Sequence, residues 1–155
     1  MSMDKILSGI RTFDGLLELA PQPGDGSPEM AWGDHFFYYA PDGAVPTNRQ
    51  PYATIVTKNY PDDVASDLDH LDRWRLNIHV GKSLAAELTG TSDGSDRRTT
   101  DSSAQDVFMH HPLYGEYGWV SVVNPSTKTL AKALAALRQA HDDDRRRVER
   151  RRADH

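Results

Sequence analysis

Residues 73–80, Arg-Trp-Arg-Leu-Asn-Ile-His-Val, alternate polar and apolar side chains. That period belongs to a β-strand with one apolar and one polar face. Tyr52 to Thr57 is rich in β-branched residues and predicts a second strand. The aromatic run Phe36 to Tyr39 and the segment Gly118 to Val123 predict two more, closed by Pro41-Asp42-Gly43 and Asn124-Pro125. The apolar run Leu16 to Leu19, which stops at Pro21, and Met30-Ala31-Trp32 are read as further short strands. Gly33-Asp34 then serves as a turn or bulge.

Helical spacing marks three segments. Ile6, Leu7 and Ile10 follow Ser2, a candidate N-cap. Leu84 to Leu88 follows Ser83. The longest helix starts after Ser126 and carries the stripe Leu130, Leu134, Leu137, which fades near Ala140. Val107-Phe108-Met109 reads as a short helix or strand end. Residues 90–106 are poor in apolar side chains and read as a loop. The order of elements, with short links between strands, predicts an α+β fold: an antiparallel sheet of about five strands with helices packed on one face and a long C-terminal helix.

With 155 residues the chain makes one domain, assigned to 1–141. Residues 142–155 form a charged tail, either a helix extension or disordered. The tail holds six arginines against five acids, so the body is more acidic than the net charge of -5. An acidic body disfavours nucleic acid as a partner. There is no cysteine, which removes disulfides, thiol nucleophiles and cysteine metal sites. No apolar run approaches the ~20 residues of a membrane span. No signal-peptide pattern follows Met1, and the expected location is the cytoplasm.

Three segments carry a family resemblance: Trp32-Gly33-Asp34-His35-Phe36-Phe37-Tyr38-Tyr39, then Ala53 to Pro61, and His111-Pro112-Leu113-Tyr114-Gly115-Glu116-Tyr117-Gly118-Trp119 through Pro125. With Arg75-Leu76-Asn77-Ile78 between them, the chain resembles a bacterial family of small proteins known only as a domain of unknown function, over roughly residues 3–140. A more distant resemblance, through the Gly-Trp-Val strand ahead of a C-terminal helix, is to MmcQ/YjbR-like proteins. Both resemblances imply a compact α+β fold and neither implies an activity.

Candidate chemistry centres on the polar face of 73–80. Arg75, Asn77 and His79 project from one side, about 6–7 Å apart. An exposed sheet face produces the same pattern unaided. On the functional reading Arg75 holds an anion, Asn77 orients it, and His79 moves a proton. His111, stiffened by Pro112, is the second candidate for acid–base work. Asp34, Trp32 and Trp119 are candidate ligand-binding residues, although an Asp after Gly commonly caps its own backbone and the tryptophans suit a core. No metal site is expected. His110 and His111 point opposite ways, and Asp67-x-Asp69 lacks the later glycine and glutamate of a calcium loop. No cofactor motif, nucleophile elbow or phosphate loop is present.

Two functions follow. The first is a small-molecule site on the polar sheet face, binding an anion or performing acid–base chemistry. The second is a non-catalytic interaction or homodimerisation module, which would present a flat or convex sheet face without a pocket.

Overall fold

The computed structural model describes residues 2–69, 72–90 and 103–153. Six strands form one antiparallel sheet: β1 (Leu16–Leu19), β2 (His35–Tyr39), β3 (Ala53–Val56), β4 (Arg75–His79), β5 (Met109–His110) and β6 (Trp119–Val123). Their order is β1-β2-β3-β4-β6-β5. The helices are α1 (Ser2–Ile10), α2 (Lys82–Thr89) and α3 (Leu130–Ala153).

The register separates the two faces. Ala53 pairs with Ile78, Ile78 with Val120, Ile55 with Leu76, and Leu76 with Val122. These residues are buried and pack with Ile6, Leu7 and Ile10 of α1 and with Ala133, Ala136, Leu137 and Ala140 of α3. Ala85, Leu84 and Leu88 of α2 join the same cluster. All three helices therefore cover one face, and each buried Ile or Leu contributes about 1.5–3 kcal/mol. The deepest positions of α3 are its alanines as much as its leucines, so α3 lies close. A Cβ on Gly9 of α1 would stand 2.5 Å from Leu134.

The sequence expectations fail at several points. Met30-Ala31-Trp32 is no strand. Glu29–Ala31 is a 3-10 turn, closed by Ala31 N–H to Pro28 O and Trp32 N–H to Glu29 O. The added strand is β5, too short to show a period. Ser83 lies inside α2, whose N-cap is Gly81, with no side-chain cap. Nor does Ser126 cap α3 with its hydroxyl. The carboxylate of Asp106 accepts from Ser126, Lys128 and Thr129 backbone N–H at 2.7–3.1 Å and from the Thr129 hydroxyl at 2.6 Å. The predicted loop over 90–106 lies, except for its ends, outside the described residues. The charged segment, for which a helix extension is one alternative, continues α3 as far as Ala153. There Asp144 is buried and accepts from Tyr39 N–H of β2 at 3.0 Å.

Among the described residues no α-helix covers the second face of the sheet. It is covered by the irregular segments 57–69 and 111–117 and by the turn around Met30. Val56, Leu68 and Val123 form a small apolar cluster there with Tyr60 against it. This cover decides what the polar face of β4 can do.

Candidate functional site

On the polar face of β4 Arg75 and Asn77 are buried while His79 is half-buried, so the face is not the solvated one that alternation alone allows. Arg75 is 2% exposed and Asn77 3%. They floor a cavity of about 450 Å³ together with Thr54 of β3. Tyr60, Asp63 and His111 stand around it, and Met30, Leu113 and Tyr114 supply a partly exposed apolar rim.

A buried guanidinium must have its donors and its charge met. Asp63 meets both: its carboxylate takes a two-pronged bond from the two Nη atoms, one prong at 3.0 Å. Arg75 Nη1 also donates to Ser66 Oγ at 3.0 Å, and Nε to Asn77 Oδ1 at 2.8 Å. Asn77 Oδ1 takes a second bond from Ser121 Oγ at 2.8 Å, across the pair Asn77–Ser121. Asn77 Nδ2 donates to Thr54 Oγ1 at 2.9 Å. The floor is thus a closed network spanning β3, β4 and β6. Burial pushes the Asp63 carboxyl up, but the bond and charge of Arg75, with His111 nearby, outweigh it and hold Asp63 below the usual carboxylate range.

His111 is buried on the loop after β5. Its Nδ1 accepts from the backbone N–H of Leu113 at 3.0 Å and of Tyr114 at 3.2 Å. The neutral ring therefore carries its proton on Nε2. Nε2 lies 3.3 Å from Arg75 Nη2 and 3.9 Å from Asp63 Oδ2. Arginine only donates, so Arg75 is no acceptor for the Nε2–H, and Asp63 Oδ2 is the nearby carboxylate oxygen. Nε2 is the one ring nitrogen of His111 placed to exchange a proton with a bound molecule.

The remaining candidates separate. Asp34 is fully buried, but not as a cap of its own turn. It accepts from Thr57 N–H at 2.9 Å, Thr57 Oγ1 at 2.8 Å, Lys58 Nζ at 3.1 Å and the Tyr60 hydroxyl. With four donors it ties the start of β2 to the end of β3 and fixes Tyr60 against the cavity, which it does not itself line. Burial, aided by the bond to Asp34, raises the Tyr60 phenol far above its ordinary value, so it stays protonated. Trp32 gives its indole N–H to Ser27 O at 3.3 Å and lines neither this cavity nor the next. His79 and Trp119 sit at the far end of β4 and line a second cavity of about 430 Å³. Their rings are tilted against each other with centroids 5.4 Å apart. His79 Nε2–H donates to Tyr117 O at 3.1 Å, and burial lowers the pKa of the ring. Tyr114 lines both cavities.

The structure places Arg75, Asn77 and His111 around one cavity, beside Asp63, Thr54 and Tyr60, which sequence reasoning does not single out, as it does not Ser66. Asp63 carries a weak signal in the Asp62-Asp63 pair, which reads as solvated. The others carry none, because the segment that covers Arg75 has no period. The anion-holding role expected of Arg75 is taken by Asp63, which fills the fork. Among the described residues no group of three or more His, Asp or Glu is placed to hold a metal ion, and no helix is long and apolar enough to cross a membrane.

No curated protein matches the chain, and no solved structure does. The MmcQ/YjbR likeness is accordingly not shown. One family model covers residues 1–153, described as a family of unknown function, DUF6194. The chain thus belongs to the DUF6194 family, whose function is unknown.

Proposed function

We propose that the protein binds an uncharged, partly apolar small molecule in the cavity over β3 and β4. The observation that carries this reading is the Arg75–Asp63 pair. With the guanidinium committed, the floor offers oriented dipoles in place of net positive charge. Asn77 holds the Thr54 hydroxyl as an acceptor, which leaves its proton to donate to a ligand. Tyr60 gives its proton to Asp34 and keeps its oxygen as an acceptor. The His111 Nε2–H is a third polar handle, and Met30, Leu113 and Tyr114 supply apolar area. A few convergent polar groups in a mainly apolar concavity of this size suit a small organic ligand. A concave floor favours this reading over an interaction module, which calls for a flat face.

If the bound molecule reacts, His111 is the residue for proton transfer in this cavity, and Asp63 stands where it would stabilise the imidazolium. His79 belongs to the other cavity and takes no part here.

The test is a fragment screen by protein-observed NMR, with neutral, anionic and cationic fragments in equal numbers. Neutral fragments should shift the Asn77 side-chain amide and the Leu113 and Tyr114 backbone amides. Thr54→Val and His111→Gln should each weaken them about tenfold, the worth of one polar contact. A hit set dominated by anions at these same amides would overturn the reading, as would binding indifferent to both variants.

A further inference from the structure

The second cavity lies at the end of the sheet, between the last turns of α3 and the strand ends around His79 and Trp119. α3 presents Asp144, Arg147, Val148 and Arg151 to it. The spacing i, i+3, i+4, i+7 puts these on one side of a helix. Arg49 lines the cavity from the loop before β3. Three guanidiniums thus meet one carboxylate. Asp144 is shared: it binds Arg49 Nη1 and lies 3.5 Å from Arg147 Nη2. Arg49 is committed further through its bond to Tyr39 O. Arg151 makes no ion pair with any described residue. The balance is a surplus of two positive charges, concentrated on Arg147 and Arg151, one helical turn apart.

The facing wall is aromatic. Trp119 lies against His79, while Tyr117 is 66% exposed and Tyr114 48%. Large aromatic rings on a surface are expensive to leave wet and are well suited to stacking. His79 has its Nε2–H on Tyr117 O. Its Nδ1 therefore remains as an acceptor in the neutral ring, with no hydrogen bond to any described residue.

We propose that this cavity binds a phosphate monoester carried on a flat ring, the ring against Trp119 and Tyr117 and the phosphate between Arg147 and Arg151. The charge surplus selects the phosphate over a carboxylate: a monoester carries about -1.5 to -2 at neutral pH. Two guanidiniums can each give it a forked pair of charge-assisted bonds. His79 Nδ1 gives the ring an acceptor for an amino or hydroxyl hydrogen. The site is separate from the cavity over β4 and shares with it only Tyr114 among their lining residues.

The experiment is calorimetric titration of the full chain with adenosine monophosphate and with p-nitrophenyl phosphate, against adenosine and inorganic phosphate. Ring proximity is read from the Trp119 indole N–H by NMR. Both phosphate monoesters should bind at millimolar concentration or tighter, at least tenfold better than adenosine or phosphate alone, and shift the indole signal. Arg147→Gln and Arg151→Gln should each weaken them roughly tenfold. Both positions are exposed, Arg147 with 45% of its side chain, so these variants fold. Thr54→Val, which touches no residue lining this cavity, should leave the affinity unchanged, which separates this site from the one over β4. Absence of monoester binding, equal binding of adenosine, or affinity untouched by the arginine substitutions would each overturn the proposal.

Discussion

Replacing Asp63 by asparagine exchanges one carboxylate oxygen for an amide and leaves the Arg75 guanidinium 2% exposed with its charge unanswered. Nε keeps Asn77, and Nη1 keeps Ser66 and the remaining oxygen of residue 63. The Nη2 prong then meets an amide N–H₂, donor against donor. Removing one partner of a buried pair costs about 3–5 kcal/mol. The Asp63 side chain is 10% exposed at the cavity edge, so some water reaches the pair and the lower end, about 3 kcal/mol, applies. For a chain of this length that is a fall in Tm of roughly 6–12 °C. Differential scanning calorimetry and urea unfolding measure it. The same substitution should remove an acid-sensitive component of stability. A carboxyl held below its unfolded value stabilises the fold above that value, and the contribution fades as pH falls below about 4 toward the folded pKa. The wild type should therefore lose stability more steeply than D63N below about pH 4. The paired variant Asp63→Leu with Arg75→Met should recover most of the loss, since an apolar pair of similar volume carries no unmet charge. A loss below about 1 kcal/mol for D63N, the scale of an exposed ion pair, would refute the claim that this pair is buried and committed.

Two further outcomes follow from other parts of the fold. Burial lowers the pKa of both His79 and His141, so the unfolded chain takes up their protons first. Stability present above about pH 6.5 should decline as pH falls below it, by up to about 1.4 kcal/mol per pH unit for each histidine. Urea midpoints between neutral pH and pH 5 should show this, with a shallower slope in His141→Gln. Gly118→Ala should cost at least about 2 kcal/mol, because Gly118 has φ +86° and a Cβ there would stand 2.7 Å from the Gly81 backbone. Val80 and Gly81 both give their N–H to Gly118 O, so no relaxation opens that space, and chemical denaturation of the variant gives the figure directly.

Strands announce themselves in this chain when they are long enough to show their period, and β4 does so over the whole of Arg75 to His79. The alternation there correctly puts Leu76 and Ile78 on the helix side. Whether the opposite side is wet is a different matter, since period two says nothing about what is laid over it. The cover comes from 57–69 and 111–117, where Ser66 and Asp63 reach Arg75 without any repeat that a reader could follow. Asp34 shows the same limit. Its four donors come from residues 23–26 positions later in the chain, a distance at which local turn rules are silent. The second half of α3 was opaque for another reason. Asp144 and Val148 lie among arginines and aspartates with no apolar stripe, and the partners that hold that carboxylate inside, the Tyr39 N–H and Arg49, come from distant parts of the chain.

Tyr114 stands in the wall of both cavities, its ring 4.9 Å from that of His111 and its backbone N–H on His111 Nδ1. Tyr114 is the one lining residue the two cavities share. Were both proposed ligands to bind, a guest that favours one tilt of Tyr114 would change the affinity of the other cavity, by the same factor in either direction.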